Sequence, residues 1–105
     1  MTTQLYLQKA EMQLSRGLKE KALESLLAAL ACQDSDTVSE AQVRCLLGEY
    51  QFVHQQYAQA REQLDWISDH AEQLEHDYDD LLHEEIQEAE VLLGIMQRFG
   101  LTEKP

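Results

Sequence analysis

The stretch EHDYDDLLHEE, residues 75–85, gathers the side chains of this sequence best suited to hold a metal. On one continuous helix His76, Asp80 and His83 share a side, at spacings of four and three, and imidazole with carboxylate suits a transition metal. A di-metal bundle needs Glu-x-x-His motifs from two helices, and this segment offers a single Asp-x-x-His. The plainer reading is a solvated acidic face, so no metal ligand is assigned. His54 and His70 read as turn or surface residues. Cys32 and Cys45 are the two thiols. Cys45 stands mid-helix, and neither cysteine has a histidine set beside it as a base. No glycine-rich phosphate loop and no strand to present one occur. The expectation is a protein without catalytic residues or cofactor.

Composition narrows the partners. The 105 residues carry a formal net charge of −12, and the charge is uneven: −2 over residues 1–50 and −10 over residues 51–105. Such a chain repels nucleic-acid phosphates and anionic lipid. A basic partner is the functional reading and plain solubility the alternative. No apolar run reaches the ~20 residues of a membrane span, and MTTQLYLQKAEMQ lacks the basic and apolar regions of a secretory signal. Two cysteines then read as small buried thiols in a cytoplasmic protein; spacing alone does not establish a disulfide.

The elements that must position these residues are helices. There is one proline and there are four glycines, and apolar residues recur at helical spacing almost throughout. About five helices are expected. The first runs from about Thr3 to Arg16, stopped by Gly17 in a left-handed C′ conformation. The second runs from about Lys19 to Cys32. QDSDTVSEA is a loop, with Thr37 or Ser39 capping a third helix from about Glu40 to His54. A fourth starts near Tyr57 and runs to or beyond His70. The fifth spans about Tyr78 to Phe99, with Tyr78, Leu82, Ile86, Ala89, Leu93 and Met96 in one stripe.

An internal repeat decides how these helices assemble. Gly48 is followed by Tyr57, Ala60, Leu64 and Ile67; Ala10 is followed by Gly17, Ala22, Leu26, Ala29 and Leu30. Ala10 and Ala22 are spaced as Gly48 and Ala60 are, so small residues recur where two helices would touch. This pattern resembles the tetratricopeptide repeat. Repeat 1 covers about 3–36, repeat 2 about 41–74, and a capping half-repeat about 78–99, with Leu93 and Gly94 in the places of Leu47 and Gly48. Lys19 replaces the usual aromatic, Gln55 the second glycine, and Asp34 and Glu72 the proline. The resemblance implies one all-α domain of stacked antiparallel helix pairs, a right-handed α-solenoid; a plain helical bundle is the alternative. Ala10, Ala22, Gly48, Tyr57, Ala60 and Gly94 would be its packing residues, with Gly48 and Ala60 allowing close helix approach.

The resemblance also implies a concave groove lined by the first helix of each pair. The matching positions are Gln4, Leu7, Glu11, Leu14 and Ser15; Gln42, Cys45, Glu49, Phe52 and Val53; and Glu88, Val91, Ile95, Arg98 and Phe99. This mixture of apolar and acidic residues suits a helix or peptide of a partner protein, with apolar anchors and basic flanks. Members that grip a C-terminal carboxylate use lysines and asparagines where this chain has Leu7, Glu11, Cys45 and Glu49, so that ligand is not expected. Small acidic secretion chaperones of tetratricopeptide type are similar in size and charge. Val91, Ile95, Arg98 and Phe99 are also expected to form a docking surface at the last helix, for a partner's helix or a second copy as a homodimer. A homo-oligomeric structural protein and a metal-binding or catalytic bundle are the alternatives to an adaptor or chaperone-like module.

Overall fold

A computed structural model of the chain describes residues 2–32 and 36–102. The described residues form six α-helices, α1 (Thr3–Ser15), α2 (Lys19–Ala31), α3 (Thr37–Val53), α4 (Tyr57–Asp69), α5 (Ala71–Tyr78) and α6 (His83–Arg98). The chain is all-α, and no strand occurs among the described residues. α1 packs on α2 and α3, α2 on α3, α3 on α4 and α6, and α4 on α5 and α6.

The second half departs from the expected five helices. The fourth helix stops at Asp69, and α5 follows after the single residue His70. The expected helix from Tyr78 to Phe99 is broken at Asp79, whose φ of 52° and ψ of −126° match the first central position of a type II′ turn. Leu81 N–H donates to the Tyr78 carbonyl at 3.1 Å and closes that turn. Tyr78 therefore ends α5 and Leu82 precedes α6, so His76, Asp80 and His83 do not share one helix. α3 begins earlier than expected. Asp36 is its N-cap, accepting from the Ser39 backbone at 2.7 Å and the Ser39 hydroxyl at 3.0 Å, while Thr37 and Ser39 lie inside the helix. Part of the expected loop, residues 33–35, lies outside the described residues.

One turn recurs three times. At the end of α1, Gly17 (φ 76°) donates to the Leu14 carbonyl at 3.0 Å and Leu18 to the Gln13 carbonyl at 2.8 Å, a Schellman arrangement. At the end of α3, Gln55 (φ 62°) donates to Phe52 at 3.0 Å and Gln56 to Gln51 at 2.8 Å. At the end of α6, Gly100 (φ 59°) donates to Gln97 at 3.4 Å and Leu101 to Met96 at 2.9 Å. Leu18 and Gln56, which lead into α2 and α4, have φ, ψ of −88°, 67° and −89°, 65°. The α1–α2 and α3–α4 connections are thus conformational copies. Seven residues before each left-handed residue stand Ala10, Gly48 and Leu93. By this measure Leu93, and not Gly94, occupies the place of Gly48 in α6.

Small residues set the distance within each pair. Ala10, Ala22 and Ala60 are fully buried. A Cβ on Gly48 would lie 2.8 Å from Leu64 Cδ2 and 3.1 Å from Leu64 Cγ, so α4 sits against the bare backbone of α3. Tyr57 packs edge-on against Phe52 with ring centroids 5.8 Å apart, beside that turn. A Cβ on Gly94 would meet nothing within 4 Å. Within the described residues no helix packs over Gly94.

The core has two parts joined by α3. Leu7, Ala10, Ala22, Leu26 and Ala29 meet Val43 and Leu47 on one side of it. Ala41 and Cys45 meet Ala60, Leu64, Ile67, Leu74, Leu82, Ile86, Ala89 and Met96 on the other. α6 is seated by Ile86, Ala89 and Met96, while Val91 and Phe99 remain 58% and 68% exposed.

Candidate functional site: an acidic cleft between three helices

α1, α3 and α6 leave a cleft of about 220 Å³ between them, lined by Leu7, Glu11, Gln42, Cys45, Leu46, Glu49, Glu84, Glu85 and Glu88. Helical spacing brings these side chains together. Leu7 and Glu11 stand one turn apart on α1, Gln42, Cys45, Leu46 and Glu49 share a face of α3, and Glu84, Glu85 and Glu88 share the opening turns of α6. Leu7, Leu46 and Cys45 supply apolar surface, and five glutamates supply the charge. Among the described residues, no lysine or arginine lines the cleft. Arg44 on α3 is held elsewhere: it pairs with Glu40 at 3.0 Å, donates to Gln63 Oε1 at 2.8 Å and lies 4.9 Å from the centre of the Trp66 ring.

Cys45 is 5% exposed, and its thiol donates to Glu49 Oε1 across 3.4 Å. Cys45 Sγ and one carboxylate oxygen each from Glu49 and Glu88 lie within 4.8 Å of one another. Burial, and then the charge of Glu49 with those of Glu88 and Glu85 behind it, pushes the Cys45 thiol far above its ordinary range. Burial is also the main reason that the Glu49 carboxyl is raised to about 7; Glu88 and Glu85 add to the rise, and the hydrogen bond from Cys45 opposes it. Glu85 Oε2 is buried without a hydrogen-bond partner.

Of the groove positions read from the sequence, Leu7, Glu11, Gln42, Cys45, Glu49 and Glu88 line this cleft. Leu14 and Phe52 do not line it; both are half-buried and pack against the core. Val53 is 74% exposed. Val91, Ile95, Arg98 and Phe99 lie outside the cleft, farther along α6, where Arg98 sits 5.7 Å from the centre of the Phe99 ring. Glu84, Glu85 and Leu46 were missed. The two glutamates belong to the first turn of a helix that the sequence pattern placed mid-helix, and the acidic run HEE was the available signal.

The other candidates separate. His76 contacts its neighbour Asp77 at 3.1 Å, and His83 begins a different helix. His54 and His70 are C-caps that stack on Tyr50 and Trp66, with Nδ1 of each donating to the same residue's carbonyl at 2.9 and 2.7 Å. Cys45 is buried as expected, but Cys32 is only half-buried. No helix among the described residues is long and apolar enough to cross a membrane. In comparisons with family models, curated proteins and solved structures, nothing matches this chain.

Proposed function

We propose that this chain is a non-catalytic protein-binding module, adaptor or chaperone-like in use, that receives a basic helix or peptide of a partner in the cleft between α1, α3 and α6. The observation that carries the reading is the convergence of five glutamates from three helices on one cleft, with no basic residue in its lining among the described residues. Uncompensated carboxylates around an apolar floor favour a ligand that brings both cations and aliphatic surface. A lysine or arginine does so in one side chain, with its stem on Leu7 and Leu46 and its head among the glutamates.

A tetratricopeptide-like stack is the architecture we propose for it. The support is the matched α1–α2 and α3–α4 connections, the small residues Ala10, Ala22, Gly48 and Ala60 at the helix contacts, and the placing of α1, α3 and α6 along one cleft. A cytoplasmic setting belongs to the same proposal, since a buried thiol outside any disulfide, as Cys45 is, suits a reducing compartment.

Binding is tested with a fluorescent amphipathic peptide of leucine and lysine, read by anisotropy, against the same peptide with glutamate for lysine. The basic peptide should bind, lose affinity as salt rises, and lose at least tenfold in the Glu49→Gln/Glu88→Gln variant. Equal binding of both peptides, or an affinity that the variant leaves unchanged, contradicts the reading.

A second reading rests on the exposed Val91 and Phe99 of α6. A homodimer through that surface would bury them. Light scattering across a concentration series should then give twice the chain mass, reduced to one chain by Ile95→Glu; a monomer throughout removes this reading.

A further inference from the structure

We propose that the floor of this cleft is a binding site for a divalent ion of the zinc type, held by the thiolate of Cys45 and the carboxylates of Glu49 and Glu88. Three donor atoms from two helices already lie within 4.8 Å of one another. Zinc–sulfur and zinc–oxygen bonds of about 2.3 and 2.1 Å place tetrahedral ligands roughly 3.5 Å apart, so side-chain rotation of about an ångström closes the set without moving the helices. A thiolate selects for zinc, cobalt or cadmium over calcium and magnesium, which take oxygen ligands alone.

A second observation points the same way. Glu85 Oε2 is buried in the lining of this cleft and has no partner. A buried acceptor left unpaired costs free energy. Glu85 is half-buried and its carboxylate stands outside the three converging donors, so it would accept from water bound to the ion. The donors also run from the buried Cys45 to the exposed Glu88, which leaves an entry path from solvent. Binding is balanced in charge and protons. The ion enters as M²⁺, the Cys45 thiol loses its proton to solvent, any proton on Glu49 leaves with it, and the bound cation neutralises part of the carboxylate charge.

The inference does not rest on the peptide reading, because the ion is titrated with the protein alone. The full chain, stripped with chelator, is titrated with cobalt(II). A thiolate-to-cobalt charge-transfer band should grow to one ion per chain and be displaced by zinc. It should persist in Cys32→Ser, whose thiol contacts the Ala28 carbonyl on α2 instead, and vanish in Cys45→Ser. Glu88 is exposed, so Glu88→Gln leaves the fold intact and should weaken cobalt at least tenfold. No band at millimolar cobalt overturns the proposal. So does a band that survives Cys45→Ser, or cobalt affinity unchanged in Glu88→Gln while circular dichroism shows native helix.

Discussion

Gly48 and Leu64 form the tightest approach between helices at any glycine of the chain. Glycine inside a helix costs about 1 kcal/mol relative to alanine, and the close seating of α4 offsets it. Gly48→Ala should nevertheless destabilise by about 1 kcal/mol net, because the fully buried Leu64 has to shift and overpacking costs about 1–3 kcal/mol. In a Leu64→Val background, with the offending Cδ2 removed, the same substitution should be neutral or stabilising; urea unfolding of the four proteins gives the cycle.

Glu49 makes a pH prediction at the same site. Its folded pKa, about 7, lies above the ordinary carboxylate value, so the folded chain binds the extra proton. Stability from this group is present at low pH and falls as pH rises towards 7, then levels. In chelated buffer Glu49→Gln should flatten that slope and stabilise the chain above pH 7 by about 1 kcal/mol, the part exposure of the carboxyl screening much of the cost. Unfolding midpoints from pH 4 to 8 check it, and a rise in wild-type stability across that window that the variant abolishes would contradict the sign.

Among the helices, α1 to α4 were legible because their apolar periodicity and their turn residues agree. Gly17 announces the left-handed end of α1, and the spacing of Ala10 with Ala22 repeats in Gly48 with Ala60. Gln55 hides the second such turn, since nothing in a glutamine signals a positive φ. Gln55→Gly should raise stability by about 1 kcal/mol by removing the left-handed strain of a residue with a Cβ, while Gly17→Gln should lose a similar amount; thermal unfolding reads both. The break between α5 and α6 was not legible. Tyr78, Leu82 and Ile86 keep helical spacing across it, and Leu82 remains buried although it stands just outside α6. The cue was the cluster DYDD, whose aspartates favour turns over helix interiors. The pair Leu93–Gly94 misled in the same region, because a repeated dipeptide was matched one residue away from the register that the closing turn sets. Two thirds of the cleft was therefore within reach of the sequence: Leu7, Glu11, Gln42, Cys45 and Glu49 lie on helices placed in register, and Glu88 on the one helix whose start was misplaced. Glu84 and Glu85 needed the start of α6.

The charge of the whole molecule follows the same division. Of the net −12, residues 51–105 carry −10, and the first turns of α6 set three glutamates against α1 and α3. A field of one sign over a cleft speeds the approach of an oppositely charged partner and weakens with salt. The apolar exposure at Val91 and Phe99 lies apart from it, so the two surfaces give separable signals. The most direct test is amide chemical-shift mapping of the full chain, nitrogen-15 labelled, as the basic leucine–lysine peptide is added. The account predicts shifts concentrated at Leu7, Glu11, Cys45, Glu49 and Glu88, on the facing sides of α1, α3 and α6. Shifts confined to Val91 and Phe99 or to the outer faces of α2 and α4, or no shifts at all, would contradict it.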